Sequence, residues 1–245
     1  MKIVEYNSTD DVIVEFQDEY KYRTKIAWSK FKNGSAHNYY ASNQYGGITG
    51  NKYPISKNSI HTKEYKTWMS ILLRCFDKKY KQRRPKYQNV TCCEEWLYYP
   101  NFYEWIHKQE NFEVWLNADK FTFALDKDIL IKGNKEYGPD TCCLVPTYVN
   151  SLFATTAKRS NGDNNIPLGV VYQTKCTNKH YRAEIKQGEH MIYSQSYETP
   201  EEAFQVYKQH KEAHIKHVAQ EEYKKGTISK KCYEAMMKWE VEITD

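Results

Sequence analysis

The sequence predicts an α+β chain of three units, and three observations carry that prediction. Residues 1 to 55 alternate apolar and polar side chains and are rich in β-branched and aromatic types. From about residue 60 the apolar positions change to helical spacing. Beyond residue 168 three short strand-like runs lead into a helix with a strong start signal.

In the first unit, "KIVEY", "VIVEF" and "KYRTKIAWSKF" are separated by Asn, Ser and Asp. Period-2 patterning broken by turn residues reads as a small antiparallel sheet. "NGSAHNYYASNQYGGITGNKYP" reads as an irregular aromatic loop. Next, "TKEYKTWMSILLRCF" sets Tyr65, Trp68, Met69, Leu72 and Leu73 on one helical face, with Thr62 as its N-cap. "KKYKQRRPK", residues 78 to 86, is a basic run that reads as a solvated loop. "VTCCEEW" is strand-like, and "YPNFYEWIHKQ" is a short helix opened by Pro100 or Asn101. A strand ending near Leu125, a turn through Gly133 and Asn134, and a helix from about Pro146 close this segment. Trp68, Leu72, Trp96, Phe102, Trp105, Leu125 and Leu144 are the expected core of residues 62 to 153.

"AKRSNGDNNIP", residues 157 to 167, is polar and reads as a linker. After it come "LGVVYQTK", "HYRAEIK" and "HMIYSQSY", then a helix with Thr199 at N-cap, Pro200 at N1 and Glu202 at N3. That order is a capping box with proline pre-set for the first turn. "SKKCYEAMMKWEVEI" adds a last short helix and an acidic tail.

Composition bounds the function classes. No stretch approaches the roughly 20 apolar residues that cross a bilayer, and the start lacks a signal-peptide core. The expectation is a soluble, intracellular chain without a membrane partner. Seven cysteines, with Cys92-Cys93 and Cys142-Cys143 adjacent, argue against a disulfide framework. A net charge of +5 suits a polyanion partner, and 22 tyrosines suit interfaces as well as core.

Residues 65 to 150, about a third of the chain, resemble phage and bacterial HNH endonuclease-like proteins, many of which also carry an AP2 DNA-binding domain. The resemblance rests on "YKTWMSILLRC", "PKYQNVTCCEEW" followed by "NFYEW", and "LDKDILIKGNKEYGPDTCCLVP" ending in Asn150. After residue 168, "GVVY", "YRAEI" and "TPEEAFQVY" resemble the three strands and packing helix of an AP2 domain. The resemblance implies a small β domain over 1–55, an HNH-like ββα-metal domain with flanking helices over 56–157, and an AP2-like domain with a C-terminal helix over 158–245. It implies a phage-encoded homing-endonuclease-type protein that binds duplex DNA in the cytoplasm of a bacterial host.

In a ββα-metal site one divalent cation, here Mg²⁺, activates water and stabilises charge on the phosphate. Carried over, the catalytic residues are Asp126, Asp128 and Asn150, and the metal ligands Asp126, Asn134 and Asn150. Where the pattern has its histidine base, this chain has Lys127 or Asp128, so the nuclease site is degenerate or weak. Without a cation the two aspartates are turn-capping carboxylates. Cys75, Cys93 and Cys142, one in each matching block, form a set that could hold a structural zinc. The lack of any C-x-x-C pair favours plain buried thiols. Expected DNA contacts are Lys79, Lys81, Arg83, Arg84 and Lys86 on the basic run, and Lys175, Lys179, Arg182 and Lys186 on the AP2-like sheet. The alternative from another class keeps the scaffold without the chemistry. Such a protein would inhibit a bacterial defence complex, in the manner of an anti-CRISPR, by protein binding or nucleic-acid mimicry.

Overall fold

Alternation in the first 26 residues resolves into an antiparallel sheet in a computed structural model, which describes residues 1–119, 121–153, 166–174, 178–187 and 190–244. The strands are β1 (Lys2–Ser8), β2 (Asp11–Glu15) and β3 (Arg23–Ile26), paired in that order. Val12, Val14 and Ile26 point to one side, where Trp28 and Phe31 of helix α1 (Trp28–Lys32) cover them. β1 is exposed along its whole length, with the Tyr6 ring meeting Trp28 edge-on at 5.8 Å.

A two-residue hairpin, β4 (Ser56–Lys57) and β5 (Ile60–His61), turns through Asn58 and Ser59. Both turn residues have positive φ, as a two-residue primed turn requires. Helix α2 (Lys63–Phe76) starts where Thr62 accepts the Tyr65 N–H. It is followed by α3 (Lys78–Arg83), β6 (Thr91–Cys92) and α4 (Tyr99–His107). Trp68, Leu72, Trp96, Tyr99, Phe102 and Ile106 are all fully buried, and Trp68 donates its indole N–H to the Trp96 carbonyl at 2.6 Å. This is one of two compact units, comprising residues 1–107 and 136–139. Within it, Glu136–Tyr137 runs parallel to β6.

The other unit takes residues 108–135 and 140–245. It opens with α5 (Phe112–Asn117) and β7 (Phe123–Asp126). With the Glu136–Tyr137 strand numbered β8, the next elements are β9 (Cys143–Pro146) and α6 (Thr147–Leu152). β7 and β9 pair antiparallel with Asp126 opposite Cys143, so the sequence strand–strand–helix is realised over 123–152. Then β10 (Val170–Tyr172), β11 (Tyr181–Gln187) and β12 (His190–Tyr193) form an antiparallel sheet in that order. Helix α7 (Pro200–Lys224) follows, with the capping box of Thr199 and Glu202 formed in both directions. Helix α8 (Lys230–Met237) ends the chain's regular structure.

α7 serves two cores. Its first turns bury Ala203, Phe204 and Tyr207 against Leu168, Val170, Ala183 and Ile185 of the sheet. Its later turns bury Ile215 and Ala219 with Cys143, Val145 and Val149 of the β9–α6 segment and with Cys232 and Met236 of α8. The fold is thus α+β, with eight α-helices and several small sheets among the described residues. Of the expected core, Trp68, Leu72, Trp96, Phe102 and half-buried Trp105 lie in the first unit, while Leu125 and Leu144 are buried in the second. The expected linker, up to residue 165, lies outside the described residues, as does Lys175.

Gly169, just before β10, is a position where only glycine fits. Its φ is +75°, and a Cβ there would come within 2.1 Å of the Tyr207 ring. Gly169→Ala should therefore cost about 2–4 kcal/mol, combining left-handed strain with overpacking. Urea denaturation measures this directly, and an unchanged midpoint would contradict the close sheet–helix packing.

Candidate functional site

The end of β7 carries the aspartates singled out by the sequence. Asp126 is 9% exposed, and its Oδ1 accepts the N–H groups of Asp128 and Ile129, both at 2.7 Å. Lys127 is equally sheltered. Its ammonium donates to Asp128 Oδ1 at 2.7 Å and to the Asn134 carbonyl at 2.9 Å. Asn134 returns its amide N–H to the Lys127 carbonyl at 2.8 Å. The turn from 126 to 134 is therefore closed by its own polar groups, with a lysine at the centre.

Burial pushes the Asp126 carboxyl above its ordinary range. The two backbone N–H bonds oppose this, as does Lys127, while the neighbouring Asp128 adds to it. Asn150 is half-buried on α6, one residue from the core residue Val149. Asp126, Asp128 and Asn134 are thus gathered around Lys127, while Asn150 is placed by a separate element.

The thiols fall into two sets. Cys75, Cys92 and Cys93 lie together in the first unit, and Cys142, Cys143 and Cys232 belong to the second. Cys142 is therefore in a different unit from Cys75 and Cys93. Hydrogen bonding from Cys75 and Cys93 and burial raise the Cys92 pKa, whereas the Cys92 thiol holds that of Cys93 down. Cys143 and Cys232 have Sγ atoms 3.7 Å apart in the core beneath α7, and all six described cysteines are thiols. Among the described residues no group of three or more His, Cys, Asp or Glu is placed to hold a metal ion.

The basic run is not a loop. Asp77 accepts the Tyr80 N–H at 2.6 Å and starts α3, and a single 3₁₀ turn follows over Pro85–Tyr87. The sequence reading missed this helix because a dense run of like charges masks the cap, which sits one residue outside it. Lys79, Arg83, Arg84 and Lys86 are exposed there, with the Lys86 ammonium 5.3 Å from the centre of the Tyr87 ring. Lys81 is engaged differently. It donates to the carbonyls of Gln88 and Val90 at 3.2 and 3.0 Å and so pins the chain that follows the helix.

The third place is the face of the β10–β12 sheet turned away from α7. Ala183 and Ile185 of β11 are buried against the helix, so strand alternation puts Arg182, Glu184 and Lys186 on the opposite side. Register sets Arg182 beside Val171, Glu184 beside Tyr193, and Lys186 beside Met191. The Arg182 guanidinium lies 4.0 Å over the Tyr193 ring. With its amide oriented to satisfy its neighbours, Gln173 accepts from Arg182 Nε and Nη1 at 2.8 Å. Lys179 and Lys186 are exposed at the rim, and His180 stacks on Tyr172. Tyr193 escaped the sequence reading, because only the strand register shows that it sits under Arg182.

Against this geometry the comparisons with known proteins are silent: no family model, curated protein or solved structure matches the chain. No helix among the described residues is long and apolar enough to cross a membrane.

The Asp126 turn generates a sharp expectation. Asp126→Ala strips two enclosed N–H groups of their acceptor and should cost about 1–3 kcal/mol. Asp126→Asn keeps an acceptor oxygen and should stay within about 1 kcal/mol at neutral pH. Because burial raises the folded-state pKa, wild-type stability falls as pH climbs from the ordinary carboxyl range through that raised value. The Asn variant lacks that loss and should gain on wild type over the same interval. Urea midpoints measured across pH check both points, and equal losses for the Ala and Asn variants would contradict a turn-capping role.

Proposed function

We propose that this chain is a duplex-DNA-binding protein of the kind its resemblance to phage HNH/AP2 proteins implies, with a nuclease centre too degenerate to cut efficiently. The observation that carries the proposal is Arg182. Its guanidinium is fixed by the Tyr193 ring beneath it and the Gln173 oxygen beside it, on a sheet face that α7 leaves uncovered. A held guanidinium loses little freedom on contact and is the side chain best suited to a guanine edge or a phosphate. Lys179 and Lys186 at the rim supply further cationic contacts, and Glu184 on the same face tempers them. The exposed cations of α3 add a second, separate basic surface that suits backbone phosphates.

The weak-cleavage half rests on chemistry at the β7 turn. No histidine stands where a water-activating base belongs, and Asp126 Oδ1 is already committed to two backbone N–H groups. Mg²⁺, if bound, would draw on Asp126, Asn134 and Asn150. It would supply charge stabilisation at the phosphate.

A second reading is favoured by one specific feature. Met191, Ile192 and Tyr193 of β12 are all exposed, and an apolar, tyrosine-bearing strand suits a protein partner such as a bacterial defence complex. Binding measurements decide between the two. With duplex DNA at about 50 mM salt, Arg83→Ala and Arg84→Ala should weaken affinity for all sequences alike and lower the salt slope by about 0.9 per lost contact. Arg182→Ala should change preference among sites by about 1–3 kcal/mol if it reaches a base edge. Absence of DNA affinity at that salt would sink this reading in favour of a protein partner. Strong Mg²⁺-dependent cutting abolished by Asp126→Ala would restore a working nuclease.

A further inference from the structure

The middle of α7 holds a feature that neither the DNA surface nor the β7 turn uses. His210, His214 and His217 stand at positions i, i+4 and i+7 and so share one side of the helix. Together with Ala213 of α7 and Ile185 of β11 they line a hollow of about 250 Å³. The stretch from Lys208 to His214 separates the two apolar stripes of α7, so the hollow opens at the edge of the sheet–helix core, where Ile185 forms its floor. His210 and His217 are exposed, and His214 is half-buried with its Nδ1 enclosed and without a hydrogen-bond partner.

A structural role leaves this arrangement unexplained. An enclosed imidazole nitrogen without a partner costs stability, and a core position would ordinarily be filled by an aliphatic side chain. Burial, together with Lys211 and His217 nearby, pushes the His214 pKa below its ordinary value. The neutral imidazole is the form that ligates metals. Two histidines one turn apart on a helix are a chelating pair, and imidazole suits zinc, nickel, cobalt and copper rather than magnesium or calcium.

We propose that His210 and His214 chelate a divalent transition metal of the zinc class on α7, with His217 as a third ligand and water completing the shell. As they stand the three rings do not converge, in keeping with the absence of a ready-made group of three ligands among the described residues. The two exposed rings must turn about their side-chain bonds to close on an ion. The site is independent of the DNA-binding proposal and of the carboxylates at the β7 turn.

The test uses the full chain, freed of metal with EDTA, kept reduced, and titrated with Co²⁺ and then Zn²⁺. The expected result is a single Co²⁺ per chain, with visible ligand-field bands, no thiolate charge-transfer band, and displacement by Zn²⁺. His210→Ala should weaken binding by about tenfold or more, the His210→Ala/His214→Ala pair should abolish it, and His190→Ala should leave it unchanged. Circular dichroism reports whether each variant is folded, and His210→Ala, at an exposed position, provides a test that does not depend on the buried ring. Co²⁺ affinity unchanged in His210→Ala, charge-transfer bands that place the ion on cysteines, or no binding at millimolar metal would each overturn the proposal.

Discussion

The second unit depends on one helix that belongs to two cores. α7 runs for 25 residues, about 37 Å, which is long enough to back a three-stranded sheet and still reach a separate hairpin. Its capping box fixes where the helix begins, and the burial of Phe204 and Tyr207 fixes which face meets the sheet. Ile215 and Ala219 then arrive over Cys143, Val145 and Val149 without a further turn of the chain. Asn111 reinforces that end, donating to the carbonyls of Leu144 and Thr227 at 2.9 and 2.6 Å. The consequence is spatial: one face of the β10–β12 sheet is committed to α7, and the other carries half-buried Arg182 and exposed Lys186.

The two candidate sites are built in opposite ways. On the sheet, half-buried Arg182 is held from below by Tyr193 and from the side by Gln173. At the β7 turn, the charged groups close on one another. Lys127 bridges Asp128 and the Asn134 carbonyl, and Asp126 caps the turn. A cation arriving there has to compete with a lysine already in place and with backbone donors already bound. That contrast is the physical ground for separating binding from cleavage in the proposed function.

Much of the fold was legible because it depends on local signals. The start of α7 at Thr199-Pro200-Glu201-Glu202 and the start of α2 at Thr62 are caps that sequence displays directly. The three C-terminal strands and the β2 alternation of Val12 and Val14 follow the same logic. What stayed hidden depends on partners distant in the chain. The parallel contact of Thr91–Cys92 with Glu136–Tyr137 carries no local mark in either segment. Tyr193 joins Arg182 only through register across β11 and β12. The histidine side of α7 was not read from the sequence, because the hollow it lines exists only where the fold brings Ile185 of β11 against the helix. The sequence grouped Cys75, Cys93 and Cys142, of which Cys142 lies in the other unit, and the contact of Cys143 with Cys232 across 89 positions left no local mark.

Amide hydrogen exchange in the presence and absence of a short duplex, at low salt, tests the central claim most directly. The account predicts slowed exchange on binding in β11 and β12, around Arg182 and Tyr193, and in α3, with the β7 turn and the β1–β3 sheet unchanged. Exchange that is unaltered at saturating duplex, or protection confined to the β7 turn and α6, would contradict it.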